Sequence, residues 1–303
     1  MLYRALVGES ISQFRHYHSR RRSLAGLCDL FDDGTACPKA DGTMIMTMDA
    51  NFGLVRKRSS GRSVTEPLHG NSMFVRDEDV EEYLLSHPDC SKPTEVSLRL
   101  AYPKFIIREL EKRYKNKNIN LHFIYDIACV LFTHIHKTGE GIPQGISMAV
   151  PAFHVYGHKL QCQIMYSTRR LPGFGLTDGE GMERLWSFLR RFSRVTKEMT
   201  PSHRLDLLTD ALLYYGRRKS TDLEVQLIQR WDKAEKVWSF AEEEISAVLK
   251  EAPMCISKRD IQQWMETEIE VAQPARLKTR PTDTVPRWKR NYVMKLTKFN
   301  QLR

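Results

Sequence analysis

The chain has 303 residues, 41% hydrophobic and 28% charged, with a formal net charge of +10. That balance suits a globular protein with an ample core. No apolar run reaches the roughly 18 residues of a membrane span, and MLYRALVGESISQFRHYHSRRRS at the start lacks the apolar stretch of a signal peptide, so neither a membrane protein nor a secreted one is expected.

Residues 1–40 form a helical lead-in that ends in a loop punctuated by Gly34 and Pro38. Thr43 to Arg58 is predicted as two strands meeting at a turn: Met44, Met46 and Met48 alternate with smaller residues, and Leu54-Val55 resume after Asn51-Phe52-Gly53. Residues 59–76, rich in Ser, Gly and Arg, are loop, and Asp77 to Leu85 suits a short acidic helix. Tyr102 to Lys115 is a stronger helix, with Phe105, Ile106, Leu110 and Tyr114 near one face. The run from Leu121 to Tyr125 predicts a buried strand that ends near Asp126, and Ile146 to Val150 a further strand closed by Pro151.

From Thr177 onward the pattern is almost wholly helical. Leu227, Trp231, Ala234, Trp238, Ala241, Ile245 and Val248 recur at alternating spacings of four and three, the seam of a coiled-coil-like helix. Docking on its own domain is the reading that the large tryptophans favour; a homo-oligomer or interaction module through residues 221–250 is the alternative. Taken together, the order describes an α/β core followed by a helical extension.

Three carboxylates stand out by placement. Asp49 ends the first apolar strand and Asp126 the second; if those strands are parallel neighbours, both acids emerge at one edge of the sheet, where α/β proteins bind ligands. A third acid comes from the helix after GFGLTDGE. Thr177 and Glu180 fit a capping box, which gives Glu180 a structural role and leaves Glu183 as the better ligand. Three carboxylates make an oxygen-rich site for Mg²⁺ or Mn²⁺, and a pair of ions suits phosphodiester chemistry. Asp49 also has a plainer reading as a turn residue in Asp-Ala-Asn, whereas Asp126, directly after an apolar strand, is costly unless paired, solvated or metal-bound.

Two other groups carry chemistry. His154, His158 and Cys162 recur every four residues; zinc is conceivable for the two histidines, but an unbroken helix would carry Cys162 about 12 Å from His154, so polar packing is preferred to a metal. Arg20, Arg21 and Arg22, with Arg287, Lys289 and Arg290 in a tail where Trp288, Tyr292 and Phe299 are interleaved, have the composition of segments that grip phosphates and stack on bases, or of a solvated tail. Six cysteines without paired spacing suit reduced, intracellular thiols.

Four stretches in order, MDANFGLVRK, YDIAC, PAFHVYGHKLQCQIMYS and GFGLTDGEGMERLWSFL running on to KEMTPSHRLDLLTDALLYYGRRK, resemble the Kyakuja-Dileera-Zisupton transposases. The resemblance implies an RNase H-like core, a mixed sheet with flanking helices, at residues 41–200, with a helical extension at 201–273 and a basic tail at 274–303. Cys28 and Cys37 would then be the remnant of a Cys-rich N-terminal region in a truncated or divergent copy. It also implies a DDE transposase acting on DNA in the nucleus through two Mg²⁺ or Mn²⁺ ions, with Asp49, Asp126 and Glu183 as the catalytic acids and Glu180 as runner-up. The competing expectation is an inactive, DNA-binding relic.

Overall fold

The computed structural model describes residues 42–49, 54–70, 73–87, 95–114, 119–137, 145–251 and 256–272, together with Gln13, Phe14 and Tyr17. Within these, three strands form one parallel sheet in the order β1 (Thr43–Met48), β2 (Asn120–Tyr125), β3 (Ile146–Ala149). The links between parallel strands are long and helical, as such links must be. Helices α1 (Asp77–Ser86) and α2 (Glu95–Tyr114) lie between β1 and β2, and α3 (Ala128–Lys137) between β2 and β3.

Alternation along β2 builds the two faces. Leu121, Phe123 and Tyr125 join Met148 and Val150 in the main core, beneath Leu100, Ile107 and Tyr114 of α2 and Leu131 and Ile135 of α3. Met44, Met46 and Met48, whose alternation signals the first strand in the sequence, pack against this same cluster. Ile124, Ala149 and Ile45 point the other way and are covered by Leu171 and Phe174.

Those two residues belong to the glycine-rich loop, which lies over the sheet because its glycines permit it. Gly173 has φ +85°, and a Cβ there would sit 2.4 Å from Cε1 of His122 on β2. Gly179 has φ +80°, and its Cβ would meet Cγ2 of Ile124 at 2.6 Å and the backbone of Pro151 at 3.1 Å. Both demand glycine twice over, by backbone conformation and by close approach.

Beyond the loop the chain is helical: α4 (Leu160–Tyr166) precedes it, and α5 (Gly181–Leu189), α6 (Pro201–Thr221), α7 (Leu223–Glu251) and α8 (Lys258–Ala272) follow. Leu189, Leu208 and Ala211 bring α5 and α6 together, with Trp186, Phe188 and Phe192 packed around them. The 59–76 segment is tied to α6 through the buried His69: its N–H donates to Asp206 Oδ1 at 3.1 Å, and its Nε2 lies 3.1 Å from Asp210 Oδ1.

Three expectations need correction. Leu54-Val55 is not a strand; the Leu54 carbonyl accepts from the Arg204 guanidinium and the Lys57 N–H donates to the Lys197 carbonyl at 3.0 Å, so this segment hydrogen-bonds to the α6 region and not to a sheet edge. The helix expected from Tyr102 begins at Glu95 and passes through Pro103; the proline looks like a helix start in sequence but sits inside one. Among the described residues nothing covers the seam of α7: Leu227, Trp231 and Trp238 are 56%, 68% and 71% exposed, and no α7 residue is buried. The α/β class stands, but the three strands among the described residues pair in parallel throughout, where a mixed sheet was expected. Residues 1–12, 18–41 and 273–303, which hold the basic clusters and Cys28 and Cys37, lie outside the described residues.

Gly179→Ala should cost about 2–5 kcal/mol, a left-handed-backbone penalty plus an overpacking penalty. Gly70→Ala, at φ +59° with nothing within 4 Å of the new Cβ, should cost only about 1–2 kcal/mol. Urea unfolding of the two variants beside wild type measures the difference; equal losses would show that the loop does not press on β2.

Candidate metal-binding and catalytic edge

In-register parallel pairing sets the geometry of the site. Met48 is opposite Tyr125, so Asp49 and Asp126, the next residue of each strand, leave neighbouring strands at the same end, with strands about 4.8 Å apart. Asp126 begins the turn into α3 and Asp49 leaves β1 directly.

Helix α5 crosses this end. Its Trp186 indole N–H donates to Asp49 Oδ2 at 2.9 Å, a hydrogen bond to a charged acceptor of the kind worth about 1.5–3 kcal/mol. Glu183, one turn earlier on α5, is half exposed, and its Oε1 lies 2.9 Å from Nε2 of His154. The other nitrogen of that ring, Nδ1, is 3.8 Å from Asp126 Oδ1. His154 thus bridges Asp126 and Glu183, and Trp186 ties Asp49 to the helix that carries Glu183. The three acids singled out in the sequence meet at one edge.

Glu180 departs from its expected role. Thr177 is not the N-cap and no capping box forms: α5 starts at Gly181 with Glu180 as its N-cap, and Glu180 makes no side-chain capping bond. Asp178 does that work, accepting the Glu180 N–H on Oδ1 at 3.0 Å while Arg184 pairs with both its oxygens at 3.0 and 3.1 Å. The Arg184 hydrogen bond is the main cause holding the Asp178 carboxyl below its ordinary pKa.

The Glu180 side chain instead turns inward, 7% exposed, and accepts the Phe153 N–H at 3.3 Å. Burial raises its pKa, the Phe153 N–H and His154 oppose the rise, and Glu183 and Asp178 add to it. One ligand atom each from His154, Glu180 and Glu183 lies within 4.8 Å of the others. Capping therefore gives no reason to rank Glu183 above Glu180; both acids reach the edge.

The structure also divides the histidine and cysteine set. His154–Gly157 is a 3-10 turn, His158 is extended at φ −89° and ψ 163°, and α4 starts only at Leu160. This break places His154 among the acids and turns Nδ1 of His158 toward the cysteines while its Nε2 stays 3.8 Å from Asp126 Oδ1, so the three residues do not form one group. His158 and Cys162 meet Cys129, a member of the YDIAC stretch to which the sequence pattern assigns no role; its one signal is its place in the first turn of α3, three residues after Asp126. Burial first, and Cys162 second, push the Cys129 thiol up to about 12.

A group of exposed cations, to which the sequence pattern assigns no role, comes from two segments. Lys57, Arg58 and Arg62 are exposed, as are Arg190, Arg191, Arg194 and Lys197. The Lys57–Lys197 backbone bond and a Ser60 hydroxyl donating to the Lys197 carbonyl at 2.9 Å bring the two segments together.

Residues 97–214 match the family model described as Kyakuja-Dileera-Zisupton transposase, the family that the four sequence motifs resemble. The match contains Asp126, Cys129, His154, His158, Cys162, Glu180 and Glu183, and begins after Asp49. No curated protein and no solved structure matches the chain.

Because the Glu180 pKa is raised, its ionisation works against the folded state as pH climbs through the folded value. Glu180→Gln, which keeps the acceptor for Phe153, should therefore be at least as stable as wild type at neutral pH in a chelating buffer, with the advantage vanishing in acid where the wild-type carboxyl is protonated. Thermal unfolding across pH measures this, and a neutral-pH loss would contradict the burial argument.

Proposed function

From the Kyakuja-Dileera-Zisupton match over residues 97–214, we propose that the chain is a DDE-type DNA transposase or the catalytic part of one, with an RNase H-like core. The observation that carries the reading is the meeting of Asp49, Asp126 and Glu183 at one end of two parallel strands, with Glu180 beside them. The donors fit the cation that this chemistry uses. They are carboxylates on a partly exposed edge, suited to a hard ion that keeps some of its water, and the buried Glu180 adds a charge that a nearby cation would offset.

In this proposal Asp49, Asp126 and Glu183 hold two Mg²⁺ or Mn²⁺ ions, with Glu180 as the substitute or fourth ligand. Bound there, the ions supply the charge that activates water or a sugar hydroxyl and steadies the leaving oxygen of a phosphodiester. Trp186 fixes the rotamer of Asp49 through its indole N–H, and His154 keeps Asp126 and Glu183 facing a common space. The exposed cations Lys57, Arg58, Arg62, Arg190, Arg191, Arg194 and Lys197 draw in the DNA backbone, as the basic N-terminal cluster and tail would. DNA as substrate makes the nucleus the proposed site of action.

Two further readings have their own observations. The family match begins after Asp49, so one of the three acids lacks its support, and a folded but inactive DNA-binding relic is the alternative. The exposed seam of α7 favours a second copy of the chain as partner, since an uncovered apolar stripe of this kind marks an interaction surface.

Asp126→Asn should abolish Mg²⁺- or Mn²⁺-dependent nicking of DNA that carries the element's ends while leaving DNA binding intact. Wild-type cleavage equal to that of an Asp49, Asp126 and Glu183 triple variant would remove the enzyme reading and leave the relic. Changing Arg58 and Arg194 to Ala should weaken binding of unrelated sequences alike and lower the slope of log K against log salt by about 0.9 for each phosphate no longer neutralised; an unchanged slope would mean that the DNA lies elsewhere. Sedimentation of the full chain should show self-association that Trp231→Glu with Trp238→Glu abolishes, and a wild-type monomer would count against the second copy.

A further inference from the structure

The pair of thiols beside His158 has no part in the reaction proposed above. Cys129 Sγ lies 3.5 Å from Nδ1 of His158, and the two sulfurs and one ring nitrogen of His158 all lie within 4.8 Å of one another. Both cysteines are free and partly buried. The three residues come from two separate elements: Cys129 from the first turn of α3, His158 and Cys162 from the segment that enters and forms α4.

We propose that Cys129, His158 and Cys162 bind one zinc ion through two thiolates and Nδ1 of the imidazole, with the fourth position left to water. The dimensions agree. A tetrahedral zinc with ordinary bond lengths sets sulfur and nitrogen about 3.6 Å apart and two sulfurs about 3.8 Å apart, so the observed 3.5 Å needs almost no rearrangement. The donor set is soft, which selects zinc over the hard cation assigned to the acids. On binding, each thiol releases its proton to solvent and the metal takes its place; no oxidant or reductant is involved.

His158 connects this site to the acidic edge. With Nδ1 on the metal, the ring proton must sit on Nε2, and Nε2 lies 3.8 Å from Asp126 Oδ1. Histidines on metals commonly point their second nitrogen at a carboxylate in this way. The ion would pin α3 to the chain entering α4 and hold a ring N–H toward Asp126. This makes His158 a positioning residue. The break at Gly157 that separates His154 from His158 is what allows one histidine to serve each metal.

The test is metal content and does not require that the chain cut DNA. Full-length protein prepared under reducing conditions and passed through a weak chelator should retain one zinc per chain. Cobalt substitution should give a near-ultraviolet thiolate-to-metal charge-transfer band. Cys129→Ser or Cys162→Ser should remove both signals, whereas His154→Ala should keep them. In a background with Cys28, Cys37, Cys90 and Cys255 all changed to Ser, the cobalt band must arise from the two remaining thiols, so the result stands even where a ligand variant folds poorly. Absence of the band in that background overturns the proposal. So does a band lost equally with His154→Ala and Cys129→Ser, or a Cys129–Cys162 disulfide in the reduced preparation.

Discussion

Everything at the functional edge depends on the in-register parallel pairing of β1 with β2. Side chains on a strand alternate, so a slip of one residue would turn Met44, Met46 and Met48 away from the core and set Asp49 out of line with Asp126. The register is held by burial, because the methionines and Leu121, Phe123 and Tyr125 fill the same cluster. Hydrophobic packing on one face thus decides where two charges stand at the end. The glycine loop acts on the other face, where Gly179 fits against Ile124 and Pro151 and so fixes the point at which α5 begins.

The edge concentrates groups that would repel or desolvate one another. Glu180 is buried with its carboxyl pKa raised, Glu183 and Asp126 share His154, and Asp49 is held by an indole. Such arrangements are uncommon as mere packing and are characteristic of functional sites. A few residues away, the Cys129, His158 and Cys162 cluster offers donors of the opposite character, soft where the edge is hard. The two groups approach each other where His158 Nε2 lies 3.8 Å from Asp126 Oδ1.

The strand ends were legible because periodicity reports them directly: alternating methionines for β1, a continuous apolar run for β2, and an acid after each. Parallel pairing enters the sequence reading only as a condition, since no local signal tells a parallel neighbour from an antiparallel one. Leu54-Val55 looked like a strand because two β-branched or apolar residues after a turn carry no record of where their backbone bonds go. The Thr177–Glu180 capping box failed for a similar reason: Asp178 competes for the same N–H, and only the fold decides between them. Cys129 escaped notice because it lies 29 residues before His158 in the chain, and sequence spacing reveals ligands only when one element carries them. The α7 seam shows the limit plainly. Its heptad pattern marks a long helix, which is there, yet the pattern cannot say whether a partner covers its seam, and the helix stands exposed.

The central claim is that distant acids gather to hold cations, and anomalous scattering from crystals of the full chain equilibrated with Mn²⁺ would test it most directly. The account predicts two manganese peaks about 3.5–4 Å apart, bounded by the carboxylates of Asp49, Asp126 and Glu183 or Glu180. Saturating Mn²⁺ that leaves this edge empty, or that binds only elsewhere on the molecule, would contradict it.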